Sequence, residues 1–436
     1  MDRSFENALN KFDIKTIKPL SQTGPLQFSK NDIIALTKLI SQGHPGFIDF
    51  PKGVQSKFLS GMKKIYKDDN LKTPDAVWKV LEILPDSHLQ CSMIQTDGKE
   101  KCLYFHDIPK EEYVGKNLLS ADEYGGIKYE KVNGKTTAVV MMPNTGNLSN
   151  LNKVTDFLDA FDNMMKRKNS IDNIILDVRG NPGGATCVHE YIARQLCGNE
   201  VSRCETETTR ATKESAYILA SQQEIPASEQ KTYSKREKFF ADGRGYLIKY
   251  PSFQKGGFEK PIYILQNRET ASAGEAFIYM MRNHPNTITL GSNTSGCVTY
   301  PGRKKVFLAN GFGVKIPFSK QTFANQNGKP IKIERNGLRP DITLYENAYD
   351  FVTNPDNTKI IENAIKRKKA AIARRFQKEK ADRKPEKEKP RIFAIKELTQ
   401  HNDDIKKGKM VFRRLHPDLS LDVFNSLVAY AKKCKN

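Results

Sequence analysis

The sequence lacks the residue spacings by which most metal sites and disulfide frameworks are recognised. Its seven cysteines form no Cys-x-x-Cys pair, and its seven histidines form no His-Glu-x-x-His motif. An odd number of cysteines in apolar surroundings favours reduced thiols and a reducing compartment, and the missing spacings argue against a zinc centre. We therefore expect neither a metal ion nor another cofactor.

Long apolar runs are absent as well. Residues 1–20 are polar and contain no segment typical of a secretion signal, and no other run approaches the length of a membrane helix. The sequence predicts a soluble protein without a transmembrane segment, either cytoplasmic or exported without a conventional N-terminal signal peptide. Its 38% hydrophobic and 9% aromatic residues are typical of a globular chain and not of a disordered one.

Positive charge is unevenly distributed along the chain. The formal net charge is +21, and residues 366–391 alone contain 13 Lys or Arg against 4 Asp or Glu, a net of +9. This segment suits an acidic protein, nucleic acid or anionic lipid as a partner, although a solvated helical face has the same composition. The sequence leaves the oligomeric state open.

The spacing of apolar residues divides the chain into three regions. Residues 29–85 show helical spacing, and we predict that residues 1–85 form an N-terminal helical bundle or cap. Residues 86–345 alternate strands with helices, which indicates an α/β core of parallel βαβ units, with residues 199–260 as a polar insert or lid. Residues 346–436 form a basic helical tail, which we expect to be dispensable for chemistry.

Two of the predicted strand–turn–helix units have turns made of small residues. The apolar run "IDNIILDV" leads into "RGNPGGA", and "PIYILQ" leads into "NRETASAGEA". In a parallel sheet both turns share the edge where ligands and active sites gather. Ser272, at the start of a helix, suits either a nucleophile or an ordinary N-cap. The N–H groups of Gly183, Gly184 and Ala273 suit an oxyanion, although strand-to-helix geometry alone would also require the glycines.

Two other segments contain candidates for a base and an orienting acid. His88 stands in "LPDSHLQ", directly after the helical region, and Glu334 precedes an Asn-Gly turn in "IKIERNGLRPDITL". Taken alone, His88 is more simply a structural residue and Glu334 a solvated carboxylate on a hairpin. We interpret the remaining histidines, including His189 and His284 on predicted helices, as structural.

Four motifs in order resemble the tail-specific (C-terminal processing) serine peptidase family. They are "LDVRGNPGG", "ETASAGEAF", "LGSNTSG" and "NGLRPDITL". The resemblance covers roughly residues 85–345. It implies a ClpP/crotonase-like ββα core, a peptide or protein substrate, and Ser272 as the nucleophile. It also implies an oxyanion hole formed by Gly183, Gly184 and the Ala273 N–H.

The chain departs from the best-known branch of that family in two respects. That branch uses a serine–lysine pair, but Cys297 occupies the position of the lysine. It also carries a PDZ domain, for which the interval between His88 and Arg179 is too short once the core strands are placed there. These departures point away from the lysine-type mechanism.

A second branch, similar to the tricorn protease core, uses serine, histidine and glutamate. The histidine of that branch follows a serine, as in Asp86-Ser87-His88, and its glutamate precedes an Asn-x-Gly-x-x-Pro-Asp turn, as Glu334 does here. The resemblance therefore implies a Ser272–His88–Glu334 triad, to which Ser87 adds a hydrogen bond.

The sequence thus favours a serine-type peptidase that hydrolyses peptide bonds with this triad and a backbone oxyanion hole. One alternative is a non-catalytic member of the same fold that binds a ligand or a protein. A further alternative is an acyl-CoA enzyme of the crotonase superfamily. It is weaker, because the sequence has no evident adenine or phosphate site.

Overall fold

The computed structural model describes residues 4–14, 27–94, 100–105, 125–144, 151–184, 186–198, 201, 203–209, 212, 214, 218, 246–249, 257–282, 284–301, 303–308, 311–345 and 347–382. These residues form a mixed α/β protein, as the sequence predicts. The chain divides into two compact units. Unit 1 comprises Met1–Asp107, Thr206–Lys249 and Cys297–Gln321, and unit 2 comprises Ile108–Glu205, Tyr250–Gly296 and Thr322–Asn436. The boundaries inferred at residues 85 and 345, and the ClpP/crotonase-like detail, stay predictions.

The regular elements alternate along the chain. The helices are α1 (Ser4–Lys11), α2 (Lys30–Lys38), α3 (Lys52–Lys67), α4 (Pro74–Leu81), α5 (Leu151–Lys166), α6 (Thr186–Cys197), α7 (Ala273–Arg282), α8 (Ala348–Thr353) and α9 (Thr358–Asp382). The strands are β1 (Gln90–Ile94), β2 (Glu100–Phe105), β3 (Gly126–Val132), β4 (Lys135–Met141), β5 (Asn173–Asp177), β6 (Thr206–Thr209), β7 (Tyr246–Lys249), β8 (Ile262–Gln266), β9 (Thr287–Gly291), β10 (Arg303–Phe307), β11 (Phe312–Pro317), β12 (Lys320–Ala324), β13 (Pro330–Ile331) and β14 (Ile342–Thr343).

Unit 1 begins with the helices α1–α4. Local sequence signals set their starts: Ser29 and Asp32 form a capping box before α2, and Thr73 caps α4, whose first residue is Pro74. The apolar faces of these helices share a core with an antiparallel sheet in the order β10-β11-β1-β2. Strands β6 and β7 pair with each other, also antiparallel.

Unit 2 is built on a six-stranded sheet in the order β14-β9-β8-β5-β4-β3. All neighbours are parallel except β3 and β4, which form an antiparallel hairpin. Every residue of β5 and β9 is buried, as expected of parallel strands covered on both faces. The parallel βαβ arrangement predicted from the apolar runs is therefore present.

Helix α5 begins upstream of Thr155, a residue type that often serves as an N-cap. The helix starts at Leu151, and Thr155 lies within it. Its buried face includes Val154 and Leu158, which are four residues apart, so the helical spacing already begins before Thr155. Packing of this face extends the helix upstream of the capping residue.

The segment after Tyr345 contributes to the core of unit 2. Ala348, Phe351 and Val352 of α8, and Ile361, Ala364 and Ile365 of α9, are buried in one cluster with residues of β4, β5, β8 and β9. The first two helices of the tail therefore cover the sheet, and the expectation that the tail is dispensable for chemistry stays a prediction.

The described ranges contain neither a helix suited to crossing a membrane nor a metal-binding cluster. None of the helices there combines the length and apolar character that a membrane crossing requires. The same ranges contain no group of three His, Cys, Asp or Glu residues placed to hold a metal ion.

Candidate active site

Three turns of unit 2 meet at the carboxyl edge of its sheet. Strands β5, β8 and β9 are parallel neighbours, with Asp177 aligned to Leu265 and Leu265 aligned to Leu290. The Gly-rich turn follows β5, the Ser272 turn follows β8, and residues 292–296 follow β9. The prediction that both small-residue turns share one edge is confirmed.

Ser272 lies between β8 and α7 with a strained backbone. Its φ is 51°, in the left-handed region that non-glycine residues seldom occupy, at a cost on the order of 1–3 kcal/mol. A capping serine normally has extended backbone, so this conformation differs from that of an ordinary N-cap. A strained serine at a sharp strand-to-helix turn is the geometry by which α/β hydrolases present a nucleophile.

Hydrogen bonds from neighbouring turns hold the Ser272 turn in place. The Ala271 N–H donates to the Asn181 carbonyl at 2.9 Å, and the Ser295 N–H donates to the Thr270 carbonyl at 2.9 Å. The Thr270 hydroxyl donates to the carbonyl of Val178 at 2.8 Å. The turn is thus tied to the loops after β5 and β9, which offset the cost of the strained dihedral.

Gly183 lies directly against the Ser272 turn. A Cβ atom at Gly183 would come within 2.5 Å of the Ala273 nitrogen and 2.8 Å of the Ser272 Cβ. Its φ is 96° and that of Gly184 is 115°, both in the region that favours glycine. Only a residue without a side chain allows this approach.

Two of the predicted oxyanion donors, Gly183 and Ala273, differ in their hydrogen bonds. The Gly183 N–H donates to Oδ1 of Asn181 at 2.9 Å, so it would serve an oxyanion only after exchanging that partner. Within the described ranges, no acceptor is found for the N–H of Ala273, at the first position of α7. Ala273 is therefore the better placed donor, and Gly183 acts sterically in this structure.

Glu334 is buried and close to the turn after β9. Its side chain is 3% exposed, which rules out the solvated hairpin carboxylate that its sequence surroundings allowed. The next residue, Arg335, has a φ of 61° and donates its N–H to the Gly296 carbonyl at 2.7 Å. At Gly337, a Cβ would lie 2.0 Å from the Thr294 carbonyl oxygen. Tight packing between these two turns fixes the backbone around Glu334.

His88 and Ser87 belong to unit 1, where His88 is also buried, at 5% exposure. The His88 backbone N–H donates to Oδ1 of Asp86 at 2.8 Å, and Oδ2 of Asp86 lies 3.0 Å from Nε2 of His44. Burial opposes the charge on Asp86, but its interactions with His44 and His88 together outweigh this and hold the pKa of Asp86 below its usual range. The segment around His88 is thus anchored by a buried carboxylate.

His44 can be assigned a proton position from its partners. Its Nδ1 accepts the Gly46 N–H at 3.0 Å, so Nε2 carries the proton that is shared with Asp86. No sequence pattern identifies this pair, since its members are 42 residues apart. The structure thereby adds His44 and Asp86 to the residues that support the predicted base.

The other residues singled out from the sequence are buried. His284 accepts from the Asn286 N–H and lies 3.1 Å from the Thr287 hydroxyl, and burial lowers its pKa to about 4, so it is neutral near pH 7. His189 is buried on α6, and Cys297 is buried as well. These environments agree with a structural interpretation of both histidines.

Glu275 is a residue of the site that the sequence reasoning missed. It is fully buried in the first turn of α7, and Oε2 accepts the Ser272 N–H at 3.1 Å. A signal was present, because Ser272-x-x-Glu275 has the spacing of a capping box. The group of Ser272 that binds this carboxylate is its backbone N–H.

Fold and site together define a class of protein, an α/β chain with a serine at a strained turn where a helix begins. The profile of Peptidase family S41 matches residues 136–344. The chain therefore contains an S41 peptidase domain and is a serine-type peptidase, which acts on a peptide or protein substrate.

Solved structures similar to the chain include several peptidases. Mature CPAF is 10% identical, with 79% of this chain and 97% of that chain covered and a TM-score of 0.46. The photosystem II D1 C-terminal processing protease is 12% identical, with 75% and 98% covered and a TM-score of 0.41. A candidate peptidase from Parabacteroides merdae is 19% identical, with 78% and 97% covered and a TM-score of 0.46. Likenesses of this size carry no argument about the site. No curated protein matches the chain.

Proposed function

We propose that the S41 domain cleaves peptide bonds with Ser272 as nucleophile, His88 as general base and Glu334 as the orienting acid. The strained turn at Ser272 is the observation that carries the proposal. Such strain is retained where the surroundings over-determine it, and it concentrates at functional sites. The burial of Glu334 and His88 is compatible with their roles, because active sites use burial to shift the pKa values of catalytic groups.

The contacts of Asp86 support Glu334 as the acid that orients His88. Asp86 is near His88 in sequence, but its two carboxylate oxygens bind the His88 backbone and the His44 ring. Since Asp86 already has these two partners, the proposal assigns a different carboxylate to the His88 imidazole. Glu334 is a buried carboxylate whose motif, through the family resemblance, has this role.

The proposed reaction follows the order of acyl transfer. His88 removes the Ser272 hydroxyl proton as Oγ attacks the scissile carbonyl, and it then donates that proton to the leaving amine. Glu334 holds the imidazole and stabilises its cation, and Ser87 adds a hydrogen bond. The N–H groups of Ala273 and the Gly183–Gly184 turn stabilise the tetrahedral oxyanion, each worth about 3 kcal/mol. Water then hydrolyses the acyl-enzyme by the same steps.

A fluorophosphonate probe tests the nucleophile directly. We expect the wild-type protein to be labelled at Ser272 and the Ser272→Ala variant to remain unlabelled, because the probe reacts with activated serine hydroxyls. Mass spectrometry of the labelled peptide gives the position. Ser170→Ala, which removes an exposed hydroxyl of the same unit, is the matched control.

Two outcomes would contradict this assignment. A Ser272→Ala variant that is still labelled would place the nucleophile elsewhere. A folded wild-type protein that is not labelled would favour the alternative, a binding protein on the same fold.

The packing of Gly183 leads to a second test. Gly183→Ala should lower the rate of probe labelling by about 10²-fold, because a displacement near 1 Å at a reacting centre has this effect. Gly134→Ala is the control, since Gly134 also has positive φ, at 76°, but a Cβ there meets nothing within 4 Å. Equal labelling rates in the two variants would show that the contact with the Ser272 turn is unimportant.

The exposed face of α9 suits an anionic partner. Lys366, Arg367, Lys369 and Arg374 are exposed, whereas Ile361, Ala364 and Ile365 are buried in the core. We propose that this basic face contacts an acidic protein, nucleic acid or anionic lipid, by charge and without inserting an apolar face. This partner, and any oligomer, are proposals additional to the peptidase function.

A further inference from the structure

The carboxylate of Glu275 joins three turns of unit 2. Oε2 accepts the Ser272 N–H at 3.1 Å, and Oε1 accepts the Gly296 N–H at 2.8 Å and the Thr294 hydroxyl. Glu275 and Thr294 are both fully buried. An ionised side chain is costly to bury unless its oxygens are bonded, and here both are.

The same contacts continue to the Glu334 turn. Oγ1 of Thr294 accepts the Leu338 N–H at 2.7 Å, so its own proton is directed to Glu275. The Gly296 carbonyl accepts the Arg335 N–H at 2.7 Å. One buried carboxylate thus connects the backbone of Ser272 with the residue that follows Glu334.

We propose that Glu275 is a positioning residue, which holds Ser272 at its strained dihedral and aligns it with the Glu334 turn. This inference rests on the proposed function, in which Ser272 is the nucleophile. Glu275 acts on the reaction through the Ser272 backbone and not by touching the substrate. The N-terminus of α7 also favours a negative charge at this position.

An ordinary helix cap does not account for these contacts. In a capping box the first residue has extended backbone, whereas φ of Ser272 is 51°. A cap also satisfies only the first turn of its own helix. Glu275 in addition binds two groups of the turn after β9, which contacts the Glu334 loop.

The carboxylate has a property that an amide of the same shape lacks. Both of its oxygens accept hydrogen bonds, whereas glutamine offers one oxygen and one NH₂ group. If the glutamine oxygen faces Gly296 and Thr294, its NH₂ group meets the Ser272 N–H, and the reverse orientation places it against the Gly296 N–H. Glu275→Gln therefore loses the hydrogen bond either to Ser272 or to Gly296, while the volume of the side chain is unchanged.

The test compares Glu275→Gln with Glu269→Gln, a half-buried position on the same turn. We expect Glu275→Gln to lower kcat and the rate of probe labelling by about 10²-fold while KM changes little, because the nucleophile is displaced and the substrate surface is intact. Glu269→Gln should behave like the wild type. Circular dichroism and thermal unfolding check the fold of each variant.

A second pair of variants tests the connection should Glu275→Gln fail to fold. Thr294→Val removes the hydroxyl between Glu275 and Leu338, and Thr294→Ser keeps it. We expect Thr294→Val to lower kcat and Thr294→Ser to restore it, which a packing role of the Thr294 methyl would not produce.

The results separate the two proposals. A wild-type protein labelled at Ser272, with an equally fast Glu275→Gln variant, would overturn the positioning role and leave the nucleophile assignment intact. Equal kcat for the two Thr294 variants would overturn it likewise. An unlabelled wild-type protein would instead reject the proposed function.

Discussion

Replacing Ser272 and His88 together by alanine should reduce turnover hardly more than replacing either one. Each single change is expected to lower kcat by roughly 10⁴-fold or more, because neither nucleophile nor base functions without the other. Glu334→Gln should lower kcat less, since the base His88 remains although its imidazole no longer has the correct tautomer. The measurement is kcat on an unstructured peptide library for the single and double variants.

Competing mechanisms give different patterns in the same experiment. A lysine-type mechanism predicts that His88→Ala is nearly silent, as does a binding protein in which Ser272 only begins a helix. A folded His88→Ala enzyme with near-normal turnover would therefore remove the histidine from the site. If the double variant lost kcat by the product of the two single losses, Ser272 and His88 would act independently.

The sequence predicted the strands and the small-residue turns of unit 2 because their physical signals are local. The fully apolar run of β5 and the small residues around Ser272 each identify their element without knowledge of distant contacts. Parallel order then places both turns at one edge. The position of Gly183 against Ser272 follows from the same argument.

Contacts between distant residues were not predictable in this way. The His44–Asp86 pair and the bond between Glu275 and Thr294 join segments that are 42 and 19 residues apart. Neither residue type nor spacing selects such partners. Ser272 shows the same limit, because its positive φ arises from hydrogen bonds to two other turns, and serine itself has no preference for it.

Helix α9 was expected as a basic helix, but its packing against the sheet was not predicted, because its charge concealed an apolar stripe. Ile361, Ala364, Ile365 and Ile372 are buried and have helical spacing, but lysines and arginines surround them. Lys368 lies on the same buried face and pairs with Asp341 at 3.1 Å. Burial opposes the charge on Asp341, but Lys368, Arg282 and the Thr289 N–H together outweigh this and hold the pKa of Asp341 below its usual range. A single buried cation with a distant partner is indistinguishable by sequence from a solvated one.

Truncating the chain after residue 350 should therefore prevent unit 2 from folding. The deletion removes Phe351, Val352, Ile361 and Ile365 from the core that covers the sheet. Full burial of four such side chains contributes about 6–12 kcal/mol, comparable to the entire stability of a typical domain, about 5–15 kcal/mol. Loss of Lys368 would also remove the cation that pairs with Asp341, which lowers stability further. Circular dichroism and probe labelling of the truncated protein are the measurements.

Full-length Lys366→Ala and Arg367→Ala variants show whether folding depends on the packing of α9 or on its positive charge. Both side chains are exposed on α9, so their loss should leave folding and labelling unchanged. If positive charge on the helix were what the domain requires, these variants would be impaired in proportion to the charge removed. A truncated protein that folds and is labelled at the wild-type rate would show that α8 and α9 cover the sheet without stabilising it. The site at the carboxyl ends of β5, β8 and β9 would then depend on the sheet and its turns alone.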